Sequence, residues 1–455
     1  MQKIFVNIIW LVKRKNRGII YHKIFIRFVD KSVIMNSEKN NCDLLVIGGG
    51  PAGLTAAYFA AMRGLSVVIA DAQRNFPKKL LITGKGRCNL TNVGGAEAFF
   101  SAMLRGSAFL RSAYSGFGSQ DVCDFFESRG VELKTERGGR VFPQSDRAAD
   151  IAEALKQAAV DAGVKMRIAR ITEIITRDGA VCGAKTDRGE MIFCQAAVIA
   201  TGGLSYPATG STGDGYAMAQ ALGHTTTPLR ASLVPMVCAG QDCAELQGLS
   251  LKNVTLTVTQ NGKIKFSELG EMLFTHFGIS GPLVLSASAE LSPDRAGAVT
   301  ATAEIDFKPA LDDKTLDRRV LRDFKENINR EFKNSLDGLL PQKLIPVIVR
   351  RSEIPPQARI NSITSAQRAR LINELKHFRL EITALRPISE AIVTAGGINT
   401  REINPKTMES KLIKNLHFAG EVMDVDGRTG GYNLTAAFAT GHAAGTYCLK
   451  ENFPK

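Results

Sequence analysis

A glycine-rich turn at residues 48–53 constrains the fold of this chain more than any other feature. The run from Cys42 has the sequence CDLLVIGGGPAG, in which an apolar strand leads directly into the pattern G-x-G-x-x-G. Gly48 permits a tight turn, Gly50 lets the backbone approach a pyrophosphate, and Gly53 lets the next helix pack closely on its strand. The free N–H groups and the dipole of that helix then face the phosphates. The pattern predicts a dinucleotide-binding site.

The residues after the turn complete a strand–helix–strand unit. A helix rich in small residues extends to Gly64, and the apolar run that follows it ends on Asp71. An acid about 20 residues after the glycines is the group that binds ribose hydroxyls in such sites. Strand, glycines, helix and acid together favour this interpretation over a glycine-rich turn in an unrelated α/β domain.

Length and composition predict a globular protein of about three domains, because the chain has 455 residues of which 44% are hydrophobic. Its eight cysteines include no CxxC pair, which favours reduced thiols in the cytoplasm over a disulfide framework. No stretch approaches the roughly 20 apolar residues of a membrane-spanning helix. The histidines show no metal-ligand spacing. We therefore expect a cytoplasmic protein without a metal site or a membrane partner.

The formal net charge of +14 is concentrated in two regions of the sequence. Residues 1–34 carry eight Lys/Arg against one Asp, and residues 311–380 carry fifteen Lys/Arg against nine acidic residues. The high isoelectric point therefore does not by itself indicate a nucleic-acid partner. A solvated helical face explains 311–380 most simply. The alternative is a patch that attracts an anionic substrate or RNA, although the aromatic residues typical of nucleic-acid platforms are not interleaved there.

The glycine-rich motifs lie toward both ends of the chain, with a different pattern between them. Residues 254–258 alternate between apolar and polar, and Asn261-Gly262 is a strong hairpin signal. Charged helical segments fill about 312–377, and glycine-rich motifs return after residue 391. This layout predicts a nucleotide-binding domain built from both ends of the chain and interrupted by an insertion near 230–385.

Long motifs occur in a fixed order along the chain. They are GGGPAG at 48–53, TGKGRCNLTN at 83–92, GGRVFPQSD at 138–146, ATGGLSYPATGSTGDG at 200–215, FTHFGISGP at 274–282, and TAGGINTREINPKTMESK with FAGEVMDVDGRTGGYN between 394 and 433. Together they resemble the BaiN-like or aminoacetone-oxidase-like family of NAD(P)/FAD-dependent oxidoreductases, which are two-dinucleotide-fold flavoproteins. The resemblance covers about residues 42 to 447.

The resemblance implies an α/β fold with a Rossmann-like FAD-binding domain, an inserted antiparallel β-barrel-like domain and a small helical domain. We assign residues 41–229 and 385–455 to the FAD-binding domain, 230–310 to the inserted β domain and 311–384 to the helical subdomain. Residues 1–40 are expected to lie outside the fold. Their basic part, 1–34, is then either a disordered tail or an upstream region translated from a misassigned start.

The resemblance also implies which residues bind FAD non-covalently. Gly48, Gly50 and Gly53 correspond to the pyrophosphate turn, and Asp71 to the acid on the adenosine ribose. The other implied cofactor-binding residues are Lys79, Arg87 and Asn89 near the ribityl chain or isoalloxazine, Gly202 and Gly203, the late motif Gly420, Glu421 and Asp424, and the helix start Gly431, Tyr432, Asn433 and Leu434. A helix N-terminus there would favour the negative charge that develops on a reduced flavin.

Two residues are candidates for catalysis. Cys88 lies beside Arg87, a cation that lowers the pKa of a neighbouring thiol. No second cysteine follows at short spacing, so a small buried packing residue is the favoured alternative. His276 suits near-neutral proton transfer, although a histidine flanked by phenylalanines also fits a core position.

We therefore expect an FAD-dependent oxidoreductase that transfers hydride between flavin N5 and a small organic substrate. NAD(P)H or O2 would be its second redox partner. One phosphate fingerprint predicts one FAD per chain. The sequence has no second dinucleotide domain, so any nicotinamide cofactor is expected to dock transiently. The alternative is a flavin-bearing RNA-modifying or RNA-binding protein, and a structural role for FAD is a third possibility.

Overall fold

The structure is a computed structural model that describes residues 14–15, 18–19, 41–294 and 298–450. It separates into two units, Met1–Asn41 and Cys42–Lys455. In the first unit, the described residues form a short antiparallel pair, β1 (Arg14–Lys15) with β2 (Gly18–Ile19). Most of the predicted extension, residues 1–40, lies outside the described residues.

The larger unit is built on a seven-stranded sheet. Its strands are β3 (Asn41–Ile47), β4 (Val67–Asp71), β9 (Lys165–Ile168), β10 (Ile171–Arg177), β11 (Ala180–Thr186), β12 (Met191–Ile199) and β21 (Leu416–Phe418). The order is β10-β11-β12-β3-β4-β9, and β21 pairs with the end of β12. Strands β3, β4 and β9 run parallel, as do β12 and β21, whereas β10 and β11 form an antiparallel meander with the start of β12. The sequence of strands β9-β4-β3-β12-β21 is that of a Rossmann sheet.

Thirteen α-helices lie in the described residues. They are α1 (Pro51–Ala61), α2 (Lys78–Ile82), α3 (Gly95–Ala102), α4 (Arg111–Gly116), α5 (Ser119–Glu127), α6 (Ala148–Asp161), α7 (Asp214–Ala221), α8 (Asp242–Glu245), α9 (Pro282–Glu290), α10 (Asp313–Glu326), α11 (Ile345–Arg351), α12 (Ser365–Lys376) and α13 (Tyr432–Tyr447). Helices α1 and α13 pack directly on each other and join the two ends of the chain in one hydrophobic core. No helix of the described ranges has the length and apolar character needed to cross a bilayer.

Three small sheets connect the loops around the main sheet. They are β5 (Thr91–Asn92) with β8 (Arg140–Pro143) and β7 (Leu133–Glu136), β6 (Met103–Arg105) with β22 (Asp426–Gly427), and β13 (Arg230–Ser232) with β20 (Val393–Ala395). The last pair is antiparallel and lies where the chain leaves the Rossmann-like part and returns to it. The insertion therefore begins and ends on neighbouring strands.

The insertion contains a closed six-stranded antiparallel barrel. Its strands are β14 (Met236–Cys238), β15 (Ser250–Gln260), β16 (Lys263–Thr275), β17 (Gly278–Ser280), β18 (Ala301–Asp306) and β19 (Phe378–Leu385), in the order β14-β17-β16-β15-β18-β19. The hairpin between β15 and β16 turns at Asn261 and Gly262, whose φ values of 52° and 71° fit the predicted two-residue turn. The predicted fold class, a Rossmann-like α/β domain with an inserted antiparallel barrel, is confirmed.

The helices of the insertion are not separate from its barrel. Helices α10 to α12 lie between β18 and β19 in the sequence, and they share one hydrophobic core with the barrel. The predicted helical subdomain, 311–384, was wrong at its end, because residues 378–384 form most of β19. Phe378, Leu380 and Ile382 alternate with exposed residues along this strand, as a barrel strand with one buried face requires.

Candidate functional site

In the turn after β3, packing requires two of the three motif glycines, whereas the space beside the third is open. Gly48 has a φ of +104°, and a Cβ there would lie 2.5 Å from the carbonyl oxygen of Ala200. A Cβ on Gly53 would lie 1.9 Å from the carbonyl oxygen of Gly48. Gly50 has a φ of −73°, which any residue adopts, and a Cβ there meets no atom of the described chain within 4 Å. Its missing side chain leaves space for a ligand rather than for another part of the protein.

Asp71, at the end of β4, holds this turn through its carboxylate. Its Oδ2 accepts the backbone N–H of Gly49 at 2.7 Å, and its Oδ1 accepts that of Gln73 at 2.6 Å. Burial raises the pKa of Asp71 above its ordinary value, although the two N–H groups act in the opposite direction. The sequence predicted a ribose-binding acid at this position, and the structure gives the same carboxylate a second task in shaping the glycine turn.

Helices α1 and α13 run side by side in the same direction. A Cβ on Gly441 would lie 2.4 Å from the carbonyl oxygen of Ala52, and one on Gly445 would lie 2.2 Å from that of Ala56. Gly441 thus lies beside Ala52, and Gly445, four residues later, lies beside Ala56. Because the order is the same on both helices, the helices run parallel. Since α13 begins nine residues before Gly441, its N-terminus lies roughly 12 Å beyond that of α1 along the helix axis.

Both helix starts are open to an electron-rich ligand. Neither N-cap has a side-chain hydrogen bond, and neither first turn contains an acidic residue. The first N–H groups of a helix lack intrahelical partners and carry the positive end of its dipole. Two such helix starts, offset by roughly 12 Å along the helix axis and facing the same way, suit two electron-rich parts of one elongated cofactor.

The loop of residues 83–92 is anchored to the start of α13. The hydroxyls of Thr91 and Thr435 lie 2.8 Å apart, and the amide Nδ2 of Asn92 donates to the Gly430 carbonyl at 3.2 Å. A Cβ on Gly431 would lie 2.4 Å from the Thr91 carbonyl oxygen, so only glycine allows this close approach. The structure therefore brings together two motifs that are more than 300 residues apart.

Three predicted residues around this loop differ in how they are engaged. Arg87 forms ion pairs with Glu136 and Asp146, which occupy its guanidinium. Asn89 has a buried Oδ1 without a hydrogen-bond partner among the described residues. Asn433 uses its side chain to hold the preceding loop, since its Oδ1 accepts the Gly427 N–H at 2.9 Å. Asn89 is thus available to a cofactor, whereas Arg87 and Asn433 already have partners in the protein.

The remaining predicted residues of the helix start are Tyr432 and Leu434. Both are partly buried at the beginning of α13, and both pack against the core of the Rossmann-like part. Burial raises the pKa of the Tyr432 phenol. Tyr432 therefore stays neutral and forms part of the wall at this helix end.

Lys79 and Glu421 meet in a polar cluster with Ser205 and Thr394. The Lys79 Nζ lies 2.8 Å from the Glu421 Oε2 and 2.7 Å from the Ser205 Oγ. The other carboxylate oxygen, Oε1, accepts the Ser205 hydroxyl at 3.0 Å and the Thr394 backbone N–H at 2.8 Å. These groups come from four distant segments that meet beside the carboxyl ends of the central strands, where α/β sheets bind ligands.

The glycines beside this cluster are required by its packing. A Cβ on Gly203 would lie 2.3 Å from the Thr394 Oγ1 and 2.9 Å from the Glu421 Oε1. Gly202 has a φ of +70°, and Gly420 has a φ of +75° and lies against Ala52 of α1. The predicted glycines thus place Glu421 next to the first turn of α1.

Cys88 lies inside the loop as a packing residue. It is fully buried, and burial raises the pKa of its thiol to about 12. The thiol is therefore protonated near neutral pH, and the cation at Arg87 is engaged by carboxylates instead. This environment favours the packing alternative over a reactive thiolate.

His276 lies on the barrel, in the exposed turn between β16 and β17. Its ring contacts Phe277 edge-on at a centroid distance of 5.0 Å. The core position offered as an alternative was wrong, because a two-residue turn projects this side chain toward solvent. No described contact joins His276 to the Lys79–Glu421 cluster.

Sequence reasoning missed a second charged group beside the site. Asp426 is fully buried, its Oδ1 lies 2.8 Å from Arg105, and its Oδ2 accepts the Ser232 hydroxyl at 3.0 Å. Burial raises the pKa of Asp426 despite these partners. The predicted Asp424 lies 3.8 Å from the same arginine. The motif DVDGR carried a signal for both acids, since two aspartates at spacing two point to the same side of an extended chain.

The residues of the site fit FAD. Gly50 leaves a space that a Cβ would enter, two helix starts remain uncapped, and a buried Asn89 oxygen lacks a protein partner. The offset of the two helix starts along their axes would place the pyrophosphate of FAD at the start of α1 and its isoalloxazine ring at the start of α13. Asp71 ends β4 beside the first helix start, where a ribose would lie.

Comparisons with known proteins place the chain in one family, with relatives that match most of its length. The HI0933-like protein Rossmann domain family matches residues 42–447. The chain is 31% identical over 408 residues to the 3-dehydro-bile acid delta(4,6)-reductase of Clostridium scindens, covering 88% of this chain and 97% of that protein. It is 30% identical over 402 residues to the ribosomal RNA dihydrouridine synthase of Escherichia coli, covering 88% and 96%. A protein of the same name from Haemophilus influenzae is 31% identical over 404 residues, covering 88% and 96%.

Proposed function

Since the chain belongs to the HI0933-like Rossmann family of FAD-dependent oxidoreductases, we propose that it holds one FAD between the starts of α1 and α13 and reduces a small organic substrate. The two staggered, uncapped helix N-termini carry this proposal. FAD supplies hydride at its N5 when it is bound. The chain's own residues bind and orient it.

The α1 end would hold the pyrophosphate. Gly50 leaves the space for the phosphates, and the first N–H groups of α1 donate to them. Asp71 fixes the turn through the Gly49 N–H and retains lone pairs for a ribose hydroxyl. Lys79 is held by Glu421 and Ser205, so its charge is paired within the polar cluster beside this site.

The α13 end would hold the flavin ring. Thr91 and Asn92 fix the loop of residues 83–92 against this helix start. The buried Asn89 oxygen is an acceptor that a flavin N–H would satisfy. The helix dipole stabilises negative charge on the reduced ring, which favours accepting electrons from a donor.

We propose that the substrate contains a carbon–carbon double bond conjugated to a carbonyl group. The relatives' names denote a delta(4,6)-reductase of a 3-dehydro-bile acid and a synthase of dihydrouridine, and both terms denote a double bond that gains two hydrogens. NAD(P)H is the proposed reductant. It would dock transiently, because the sequence has one phosphate fingerprint and no second dinucleotide domain.

A uridine in ribosomal RNA is the second candidate substrate, because two relatives carry that name. The basic region 311–380 supports it less than its charge suggests. Eight of its fifteen cations form ion pairs within the chain: Arg319, Arg322, Lys333, Arg350, Arg351, Arg368, Lys376 and Arg379. Paired charges attract phosphate less strongly, which favours the small-molecule substrate.

An anaerobic titration distinguishes these candidates. The FAD-loaded protein is reduced with NADH or NADPH, and reoxidation of the flavin is then followed after adding a cyclic enone, uridine or a ribosomal RNA fragment. We expect rapid reoxidation by the enone and none by free uridine. Reoxidation by the RNA fragment alone, abolished at high salt, would favour the RNA candidate. A flavin that no NAD(P)H reduces would contradict the proposed reductant.

A further inference from the structure

Three residues of the segment Asp426–Thr429 contact the insertion, which here denotes residues 230–392. This segment lies directly before the glycines that open α13. Their partners in the insertion are Ser232, Glu268, Ser286 and Glu290. The segment thus lies next to the candidate flavin site in the sequence and contacts the insertion through its side chains.

Arg428 contacts more residues of the insertion than its neighbours in the segment do. One guanidinium nitrogen, Nη1, lies 2.7 Å from a carboxylate oxygen of Glu268 on β16. Nη2 and Nε lie 2.7 and 3.2 Å from a carboxylate oxygen of Glu290 at the end of α9. The Phe266 ring lies 6.0 Å from the same guanidinium. One arginine therefore joins two carboxylates of the insertion, which would repel each other without it.

The neighbours of Arg428 reinforce this contact with buried groups. The Thr429 and Ser286 hydroxyls lie 2.9 Å apart, and Ser286 is buried in α9. The Asp426 carboxylate accepts the Ser232 hydroxyl on the strand that leads into the barrel. Partly exposed ion pairs are weak singly, but a network with buried members holds its geometry more firmly.

The same segment is tied to the start of α13. The Asn433 amide donates to the carbonyls of Gly427 and Arg428 at 2.8 and 3.3 Å, and its oxygen accepts the Gly427 N–H. A shift of the insertion is thereby transmitted to the first turn of α13. Conversely, a ligand that orders this turn also orders the contacts of Arg428.

We propose that Asp426–Thr429 is a latch that couples flavin binding at the start of α13 to the contacts between this segment and the insertion, with Arg428 as its positioning residue. This inference rests on the proposed function, because it requires FAD at the start of α13. Coupling between two sites is reciprocal. FAD binding therefore tightens the barrel contact, and the barrel contact strengthens FAD binding by the same factor.

Hydrogen–deuterium exchange of the full chain, with and without FAD, tests the latch. In the wild type, we expect FAD to slow exchange in peptides covering residues 264–271 and 282–290 by about tenfold. Arg428→Met should lose this effect and bind FAD about tenfold more weakly. Arg428→Lys should retain part of both effects, because a lysine reaches one carboxylate at a time.

Arg170→Met is the matched control, since Arg170 forms a bidentate pair with Asp214 within the Rossmann-like part. In this variant, FAD should slow hydrogen–deuterium exchange in both peptides as much as it does in the wild type. If Arg428→Met does not fold, the double variant Glu268→Gln with Glu290→Gln replaces it and should lose the effect. A variant that keeps full FAD-dependent protection would overturn the latch. Wild-type protein that binds FAD without protecting these peptides would overturn it too, whereas failure to bind FAD would overturn the proposed function as well.

Discussion

At the scale of single residues, Gly50 differs from the other two glycines of its turn, because the space beside it is open to a ligand. Its backbone conformation suits any residue, and a side chain there would meet no described atom of the chain. Gly48 and Gly53, in contrast, are required by contacts within the fold. The sequence pattern predicted all three glycines, but the different roles follow only from the structure around them.

We predict that Gly50→Leu lowers FAD affinity by about a hundredfold, because losing two charge-assisted hydrogen bonds costs about 3 kcal/mol. The thermal stability of the flavin-free protein should change little. FAD retention and the melting temperature of the apoprotein measure the two effects. Gly338→Leu is the control, since a Cβ at Gly338 also meets nothing within 4 Å. A Gly50 variant as yellow as the wild type would remove the pyrophosphate assignment.

Cys88 illustrates a residue whose chemistry is set by burial. Its thiol has a pKa raised to about 12, whereas Cys182 is partly exposed. We predict that iodoacetamide at pH 8 alkylates Cys182 in the native protein and leaves Cys88 unmodified. Mass spectrometry of the digested protein checks this outcome. Alkylation of Cys88 at the rate of Cys182 would restore the reactive-thiol hypothesis.

At the scale of elements, the contact between α1 and α13 sets the separation of the two proposed cofactor ends. It depends on Gly441 and Gly445, whose missing side chains let the helices approach backbone to backbone. Local patterns predicted α1 and its turn. They did not predict this pairing, because it joins residues nearly 400 positions apart in the sequence.

We predict that Gly441→Ala destabilises the protein by about 1–3 kcal/mol, because a methyl group enters a space that the Ala52 carbonyl fills. It should also weaken FAD binding, since the helices must separate or slide. Thermal unfolding and FAD titration measure both effects. Gly338→Ala, which has open space, should have neither. An unchanged Gly441 variant would show that the helix contact does not position the cofactor.

The boundary between the charged helices and β19 could not be predicted from the sequence. β19 was assigned to the helical subdomain because it directly follows the charged helix α12. The alternation of Phe378, Leu380 and Ile382 was too short to separate it from that helix. The hairpin at Asn261-Gly262 was predictable, because its turn chemistry is local.

At the scale of the whole molecule, topology decides what sequence motifs do together. Ser205, Thr394 and Glu421 belong to three motifs that the sequence orders along the chain, and Lys79 lies four residues before another. Their meeting point follows from the parallel sheet, whose carboxyl ends gather distant loops. Family resemblance identified the motifs, but the hydrogen bonds that join them follow only from the folded chain.

Three histidines give the molecule a predictable dependence on pH. Burial lowers the pKa of His224, His417 and His442 below the ordinary value of 6.5. The unfolded state therefore binds more protons below about pH 6.5, and stability falls as the pH drops below that value, by up to about 1.4 kcal/mol per histidine per pH unit. We predict a lower melting temperature at pH 5.5 than at pH 7.5.

His224→Gln should make this dependence shallower, because one of the three groups is removed. Thermal unfolding of both proteins across this pH range measures the difference. His276→Gln is a suitable control, since His276 lies in an exposed turn and its ring contacts Phe277. A melting temperature that rises between pH 7.5 and pH 5.5 would contradict the assigned direction.

Equilibrium binding of flavin fragments to the apoprotein tests the central claim most directly. If the starts of α1 and α13 hold the pyrophosphate and the flavin ring of one cofactor, FAD binds with a stoichiometry of one per chain and at least about a hundredfold more tightly than FMN or ADP, because joined fragments lose less entropy than separate ones. ADP should also compete with FAD. FMN binding as tightly as FAD, or two FAD molecules per chain, would contradict the account.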